Sequence, residues 1–169
     1  MLQGEISIGD PRAADVRALL ERHLVFANLH SPPEAVHALD VAGLLDPAIT
    51  FYSFRLNGEL LAVGALKRLD QEHAELKSMH TAEEARRRGI GRAMLDHLLG
   101  AARERGFRRV SLETGSMAAF APARAMYTRA GFTECAPFGD YFPSPNSTCM
   151  TLSLEGKTQA DPSGSPLTR

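Results

Sequence analysis

The chain has 169 residues, a net charge of −1, 44% apolar and 23% charged residues, which suits one domain able to bury a core unaided. That near-neutral balance argues against a general nucleic-acid or membrane-surface binder, and no stretch nears the ~18 apolar residues of a membrane span. Met1-Leu2-Gln3-Gly4-Glu5 lacks a signal peptide's basic and apolar regions, and Cys135 and Cys149 show neither C-x-x-C nor zinc spacing, so a cytoplasmic protein with free thiols and no metal is expected.

Glu5–Ile8 reads as a short first strand. Asp10-Pro11 has the form of an N-cap followed by an N1 proline, and Val16, Leu19, Leu20, His23 and Ala27 then recur at helical spacing. Ser31-Pro32-Pro33-Glu34 has the capping-box form and predicts a short second helix ending near Asp46-Pro47. Residues 49–56 and 59–69 are rich in strand formers and are joined by Asn57-Gly58, the dipeptide a type I′ hairpin favours. Residues 74–81 form the next strand. Strict alternation would put Glu75, Lys77, Met79 and Thr81 on one face and Leu76, Ser78 and His80 on the other.

A helix follows from Ile90, with Met94, Leu98 and Ala101 in one stripe, and Gly106 ends it. Residues 110–114 make a strand. Pro122 starts a helix with Ala123, Met126, Tyr127 and Ala130 inward and Gly131 as its left-handed stop. Strands at 132–135 and 148–154 complete a domain spanning residues 1–155. Residues 156–169 are too poor in apolar side chains to fold. The order is β-α-α-β-β-β-α-β-α-β-β.

The densest chemistry lies in Arg86-Arg87-Arg88-Gly89-Ile90-Gly91-Arg92, between a strand and a helix. Two glycines let backbone N–H groups approach a ligand closely. A helix N-terminus presents unpaired donors and the positive end of its dipole, and four arginines add charge of the same sign, so the turn suits a pyrophosphate. A Rossmann fingerprint fails because Met94 stands where its third glycine belongs, and no P-loop string is present. A solvated basic turn is the alternative.

The string Arg-x-x-Gly-x-Gly, with this element order around it, resembles the acetyl-CoA motif of the GNAT superfamily of N-acetyltransferases. The likeness covers residues 6–154. Glu-Leu-Lys-Ser-Met, Ser-Leu-Glu-Thr-Gly and Phe-x-Pro-Ala-Arg-x-Met-Tyr are similar to a YsnE-like bacterial branch. The resemblance implies an α+β fold in α/β/α layers, the GNAT acyl-CoA N-acyltransferase fold, with a mixed, mostly antiparallel sheet flanked by helices.

It further implies acetyl-CoA as cosubstrate. Its pantetheine arm would pair with the backbone of Met79, His80 and Thr81, and its pyrophosphate would lie at Arg86, Arg87, Arg88, Gly89, Ile90, Gly91 and Arg92. Tyr127 matches the family's tyrosine, the acid toward the departing thiolate, and also lies on the cofactor; a core tyrosine is the plainer reading. Glu75 stands at the register of a glutamate base. Lys77, if close, would pair with it, and Glu113 on the adjacent strand is a second candidate. Phe120 stands where many members carry a cofactor-binding asparagine, leaving Ser116, backbone or nothing to replace it.

The expected activity is therefore N-acetyl transfer to a primary amine by direct attack in a ternary complex, Glu75 acting as base and Tyr127 as acid. A covalent route fits poorly, since neither cysteine lies in a motif with a paired histidine. The rival is a non-catalytic acyl-CoA-binding sensor or interaction module, which would have lost Glu75 and Tyr127. Residues 30–45, with His30 and His37, and residues 138–146 would shape the acceptor pocket, and the latter's aromatics and Asp140 suit a small molecule. No nucleic-acid or membrane partner is expected; members of this fold often form homodimers.

Overall fold

A computed structural model describes residues 4–36 and 39–155; His37 and the expected C-terminal tail lie outside them. The elements follow in the expected order. They are β1 (Glu5–Ile8), α1 (Ala14–His30), α2 (Val41–Leu44), β2 (Ile49–Leu56), β3 (Glu59–Arg68), β4 (His73–Thr81), α3 (Ile90–Glu104), β5 (Arg109–Gly115), α4 (Ala121–Arg129), β6 (Thr133–Cys135) and β7 (Ser147–Ser153). The seven strands make one sheet ordered β1-β2-β3-β4-β5-β7-β6. All neighbours are antiparallel except β4 and β5. No helix among the described residues is long and apolar enough to cross a membrane.

Two helix starts differ from the sequence expectation. The Asp10 carboxylate accepts from the Arg12 N–H at 2.9 Å and closes a turn, so α1 begins later, at Ala14. At Ser31 no helix forms; residues 33–35 make one 3₁₀ turn without a side-chain cap. Pro33 explains this, because at N2 it removes one of the two N–H groups that a serine cap binds. The second helix starts instead at Asp40, whose side chain accepts from the Gly43 N–H at 2.8 Å.

The layers follow from the β3 pleat. Gly64 faces α3, since a Cβ on it would lie 2.8 Å from Met79 Sδ and 2.9 Å from Leu98 Cδ1. Its partner across β2, Tyr52, meets His97 of α3 edge-on. Val63 therefore points to the opposite face, and so does His80, paired with it, where its ring meets His23 of α1. Thus α3 and α1 cover opposite faces. Met94, Leu95 and Leu98 of α3 and Val16, Leu19 and Leu20 of α1 are buried in the core.

The alternation expected along β4 is broken. Pairing runs Ala65 to Lys77 and then Val63 to His80, so Ser78 and Met79 together oppose Gly64. This is a β-bulge, with Ser78 in the left-handed region at φ +54°. It puts Glu75, Lys77 and His80 on the α1 face, while Met79 and Thr81 turn toward α3. Strict alternation had grouped Glu75 with Met79 and Thr81, and the extra residue is the reason for the correction.

Gly64, opposite the bulge, leaves room for the Met79 side chain. Gly64→Val should overpack that contact and lower stability by about 1–3 kcal/mol. Urea unfolding reads this as a lower midpoint at unchanged slope, and an unchanged midpoint would mean the bulge has slack.

Candidate active site

Strands β4 and β5 pair only at residues 73–75 against 109–111. Beyond that point β4 stays on β3 as far as Thr81, while β5 continues along β7 to Gly115. The two strands therefore part, and the backbone of residues 76–81 facing β5 has no strand partner. Backbone groups in such a gap need partners, so a ligand carrying amides could pair there as an added strand does. Met79, His80 and Thr81 occupy this edge.

Where β4 ends, α3 begins. Gly89 is its N-cap at φ +76° and supplies no side-chain cap, so the N–H groups of Ile90, Gly91 and Arg92 stay open. Arg87 is also left-handed, at φ +62°. Successive N–H groups in such a turn form an anion-binding concavity. Arg86, Arg87, Arg88 and Arg92 are exposed around it, and Arg92 pairs with Asp96 at 2.9 Å. A Cβ on Gly91 would stand 3.3 Å from Thr81 Oγ1 and 3.5 Å from Met126 Sδ, so this first turn lies close against β4 and α4. The expected anion residues are thus gathered in one place. Among the described residues, three non-glycine side chains sit at positive φ: Asn57 in the hairpin turn, and Ser78 and Arg87 here. Strain of that kind concentrates at functional sites.

The ionisable groups cluster where the strands part. Glu75 is 3% exposed. The Lys77 ammonium donates to its Oε2 at 2.9 Å, and the Tyr141 hydroxyl donates to the same oxygen at 2.5 Å. Lys77 also donates to the Tyr141 oxygen at 3.0 Å. Tyr141, on the loop between β6 and β7, was expected only as an aromatic wall; no sequence signal ties it to a strand 66 residues earlier. Burial, reinforced by Glu75, holds its hydroxyl protonated.

Glu113, on β5 beyond the last β4 pairing, is half-buried and carries no ion pair among the described residues. Burial pushes its carboxyl up to about 6; the Ser147 hydroxyl and then the Lys77 charge oppose the shift, and Glu75 adds to it. Tyr127 is 6% exposed, packs edge-on against Phe132 at 5.7 Å, and its hydroxyl has no hydrogen-bond partner among the described residues. Burial raises its pKa. His80 is pushed down to about 3 by burial, then by His23 and Arg86, so its ring is neutral.

Phe120, in place of the asparagine, lies against Gly115 at the end of β5. The Ser116 hydroxyl donates to the Pro145 carbonyl. Of the expected acceptor segment, His30 is exposed beside Phe26; Phe26 and His23 of α1 stand nearer the gap. Cys135 and Cys149 face each other across β6 and β7 as free thiols.

The profile of the acetyltransferase (GNAT) family matches residues 14–132. The chain is 46% identical over 149 residues to the N-acetyltransferase YsnE of Bacillus subtilis, covering 88% of this chain and 99% of that protein. A Klebsiella pneumoniae structure described as an acyl-CoA N-acyltransferase superposes with a TM-score of 0.78 at 25% identity, over 91% of this chain and 99% of that one. A GNAT acetyltransferase from Elizabethkingia anophelis, solved with acetyl-CoA bound, superposes at 0.66 with 18% identity, over 91% of this chain and 100% of that one.

Two outcomes are expected from this geometry. Tyr141→Phe leaves Glu75 and Lys77 short of a partner and should cost about 1–3 kcal/mol in urea unfolding; no change would mean water replaces the hydroxyl. The His80 ring resonances should stay those of a neutral imidazole down to about pH 5, whereas titration near the ordinary histidine value would contradict its burial.

Proposed function

The chain belongs to the acetyltransferase (GNAT) family, and we propose that it transfers an acetyl group from acetyl-CoA to the primary amine of a small molecule, by direct attack in a ternary complex. The observation that carries this reading is the junction of an unpaired strand edge with an uncapped, arginine-flanked helix N-terminus. An amide-bearing pantetheine arm suits Met79, His80 and Thr81; a pyrophosphate suits residues 86–92. Bound there, acetyl-CoA supplies an acyl group activated as a thioester. The fold that holds it in the Elizabethkingia protein is the fold seen here.

The chain's own groups then divide the proton work. Both donors around Glu75 converge on its Oε2, so its role is to hold Lys77 and Tyr141 in place. Glu113 is the better proton acceptor, having no ion pair among the described residues and being raised toward the operating pH, where a general base is most effective. Its carboxylate takes the proton of the incoming ammonium. Tyr127 offers an unpartnered phenol to the departing sulfur. Burial raises its pKa, so full transfer to a thiolate of pKa ~8.5 is uphill; hydrogen bonding comes first. Direct attack is favoured over an acyl-cysteine because burial pushes the Cys149 thiol up to about 11, away from the nucleophilic thiolate.

Calorimetric titration with acetyl-CoA should show binding that Gly91→Trp abolishes, because the indole would fill the space between Thr81 and Met126. Absence of binding by the native chain would overturn the reading. The kcat/KM profile should lose activity as pH falls through about 6 as Glu113 protonates. Glu113→Gln should remove that limb and lower kcat/KM by about 10²–10⁴-fold. Should Glu113→Gln keep the limb while Glu75→Gln loses it, the base is Glu75.

A further inference from the structure

Four rings bridge the wide end of the gap on the α1 face: His80 near the end of β4, His23 and Phe26 on α1, and Phe120 just after β5. His23 and His80 stand 4.7 Å apart between ring centroids, and Phe26 meets Phe120 edge to face at 5.5 Å. His23 and Phe26 lie one helical turn apart, so they present side by side. The bridge is fixed at its β5 end. A Cβ on Gly115 would fall 2.4 Å from Phe120 Cδ2, so the absent side chain is what admits the ring. The Arg124 guanidinium donates to the Gly115 and Met117 carbonyls at 2.6 and 3.0 Å, holding the turn that carries Phe120.

The two ends of this face differ in chemistry. Where the strands meet stand Glu113, the Glu75–Lys77 pair and Tyr141, with more negative than positive charge once Glu113 ionises. Across the wide end stand two phenylalanines and two histidines that burial keeps neutral. Beside Phe26 the Arg86 guanidinium already lies over the ring, 6.0 Å from its centroid. A second ammonium arriving there would meet like charge and find no carboxylate on the bridge.

We propose that the acceptor is a primary amine with a compact aromatic or apolar body, its amine at Glu113 and its body against the Phe26–Phe120 pair, which makes these two residues specificity-determining. This rests on the acetyl-transfer reading above. A polyamine would place its second cation against the rings and Arg86. A lysyl peptide offers an alkyl stem with no ring to set against the Phe26–Phe120 pair.

The test measures CoA release from acetyl-CoA with 2-phenylethylamine, tryptamine, putrescine and a lysyl peptide as acceptors. The ring amines should exceed the others in kcat/KM by about tenfold or more, the scale of discrimination an apolar pocket provides. Phe26→Ala and Phe120→Leu should raise KM for 2-phenylethylamine several-fold with kcat held, whereas a general folding defect would move both. As a second measurement, 2-phenylethylamine is titrated calorimetrically into CoA-saturated protein, where heat of binding is expected. Preference for putrescine or the peptide overturns the proposal and leaves acetyl transfer standing. Loss of no selectivity in either phenylalanine variant also overturns it. No transfer to any amine, with no heat from 2-phenylethylamine, overturns it together with the reading on which it rests.

Discussion

The parting of β4 from β5 after Glu75 and Ser111 is the constraint on which the rest of the molecule depends. A sheet that stayed paired would leave no backbone free for a ligand and no gap between its faces. Giving up those ladder bonds is unfavourable unless a ligand or water replaces them. The surrounding structure holds the strands apart. The bulge at Ser78 and Met79 bends β4, Gly64 makes room for Met79, and β7 draws β5 away along its full length as far as Gly115. At the wide end, α1 spans the opening through ring contacts without restoring the ladder.

The charged cluster at the narrow end follows from the same divergence. Glu75 and Lys77 would be costly to bury singly; as a pair completed by the Tyr141 hydroxyl they are satisfied. Buried ion pairs contribute little net stability compared with apolar packing, so specificity is the better explanation for this one. The pair captures Tyr141 and thereby fixes a loop of otherwise irregular sequence. Phe138 follows, packed edge-on against Tyr141 at 5.1 Å and tilted against His73 at 5.8 Å. The two carboxylates thus differ in their surroundings: Glu75 accepts from Lys77 and Tyr141, whereas burial raises Glu113 above the usual carboxylate range.

Element order, the Asn57-Gly58 hairpin and the glycine-rich helix start were legible because each is local: a short run of residues carries its own turn or cap chemistry. The second helix was misplaced because the Ser31 pattern ignored what Pro33 withholds. The facing of β4 was misread because a bulge is specified by the strand opposite, here by Gly64, and not by the alternation of β4 itself. Tyr141 was visible only as an aromatic on a loop; its bond to Glu75 joins residues 66 apart and has no local signature. The same holds for Phe120, whose departure from the expected asparagine was plain but whose contacts with Phe26 and Gly115 required the fold.

Amide hydrogen exchange with and without acetyl-CoA tests the central claim most directly, because the open edge of β4 and the first turn of α3 are defined by unpaired N–H groups. Slower exchange confined to residues 76–81 and 87–92 on adding the cofactor is the expected result. Binding that leaves both segments unprotected, while protecting others, would contradict the assignment of this gap as the acyl-donor site.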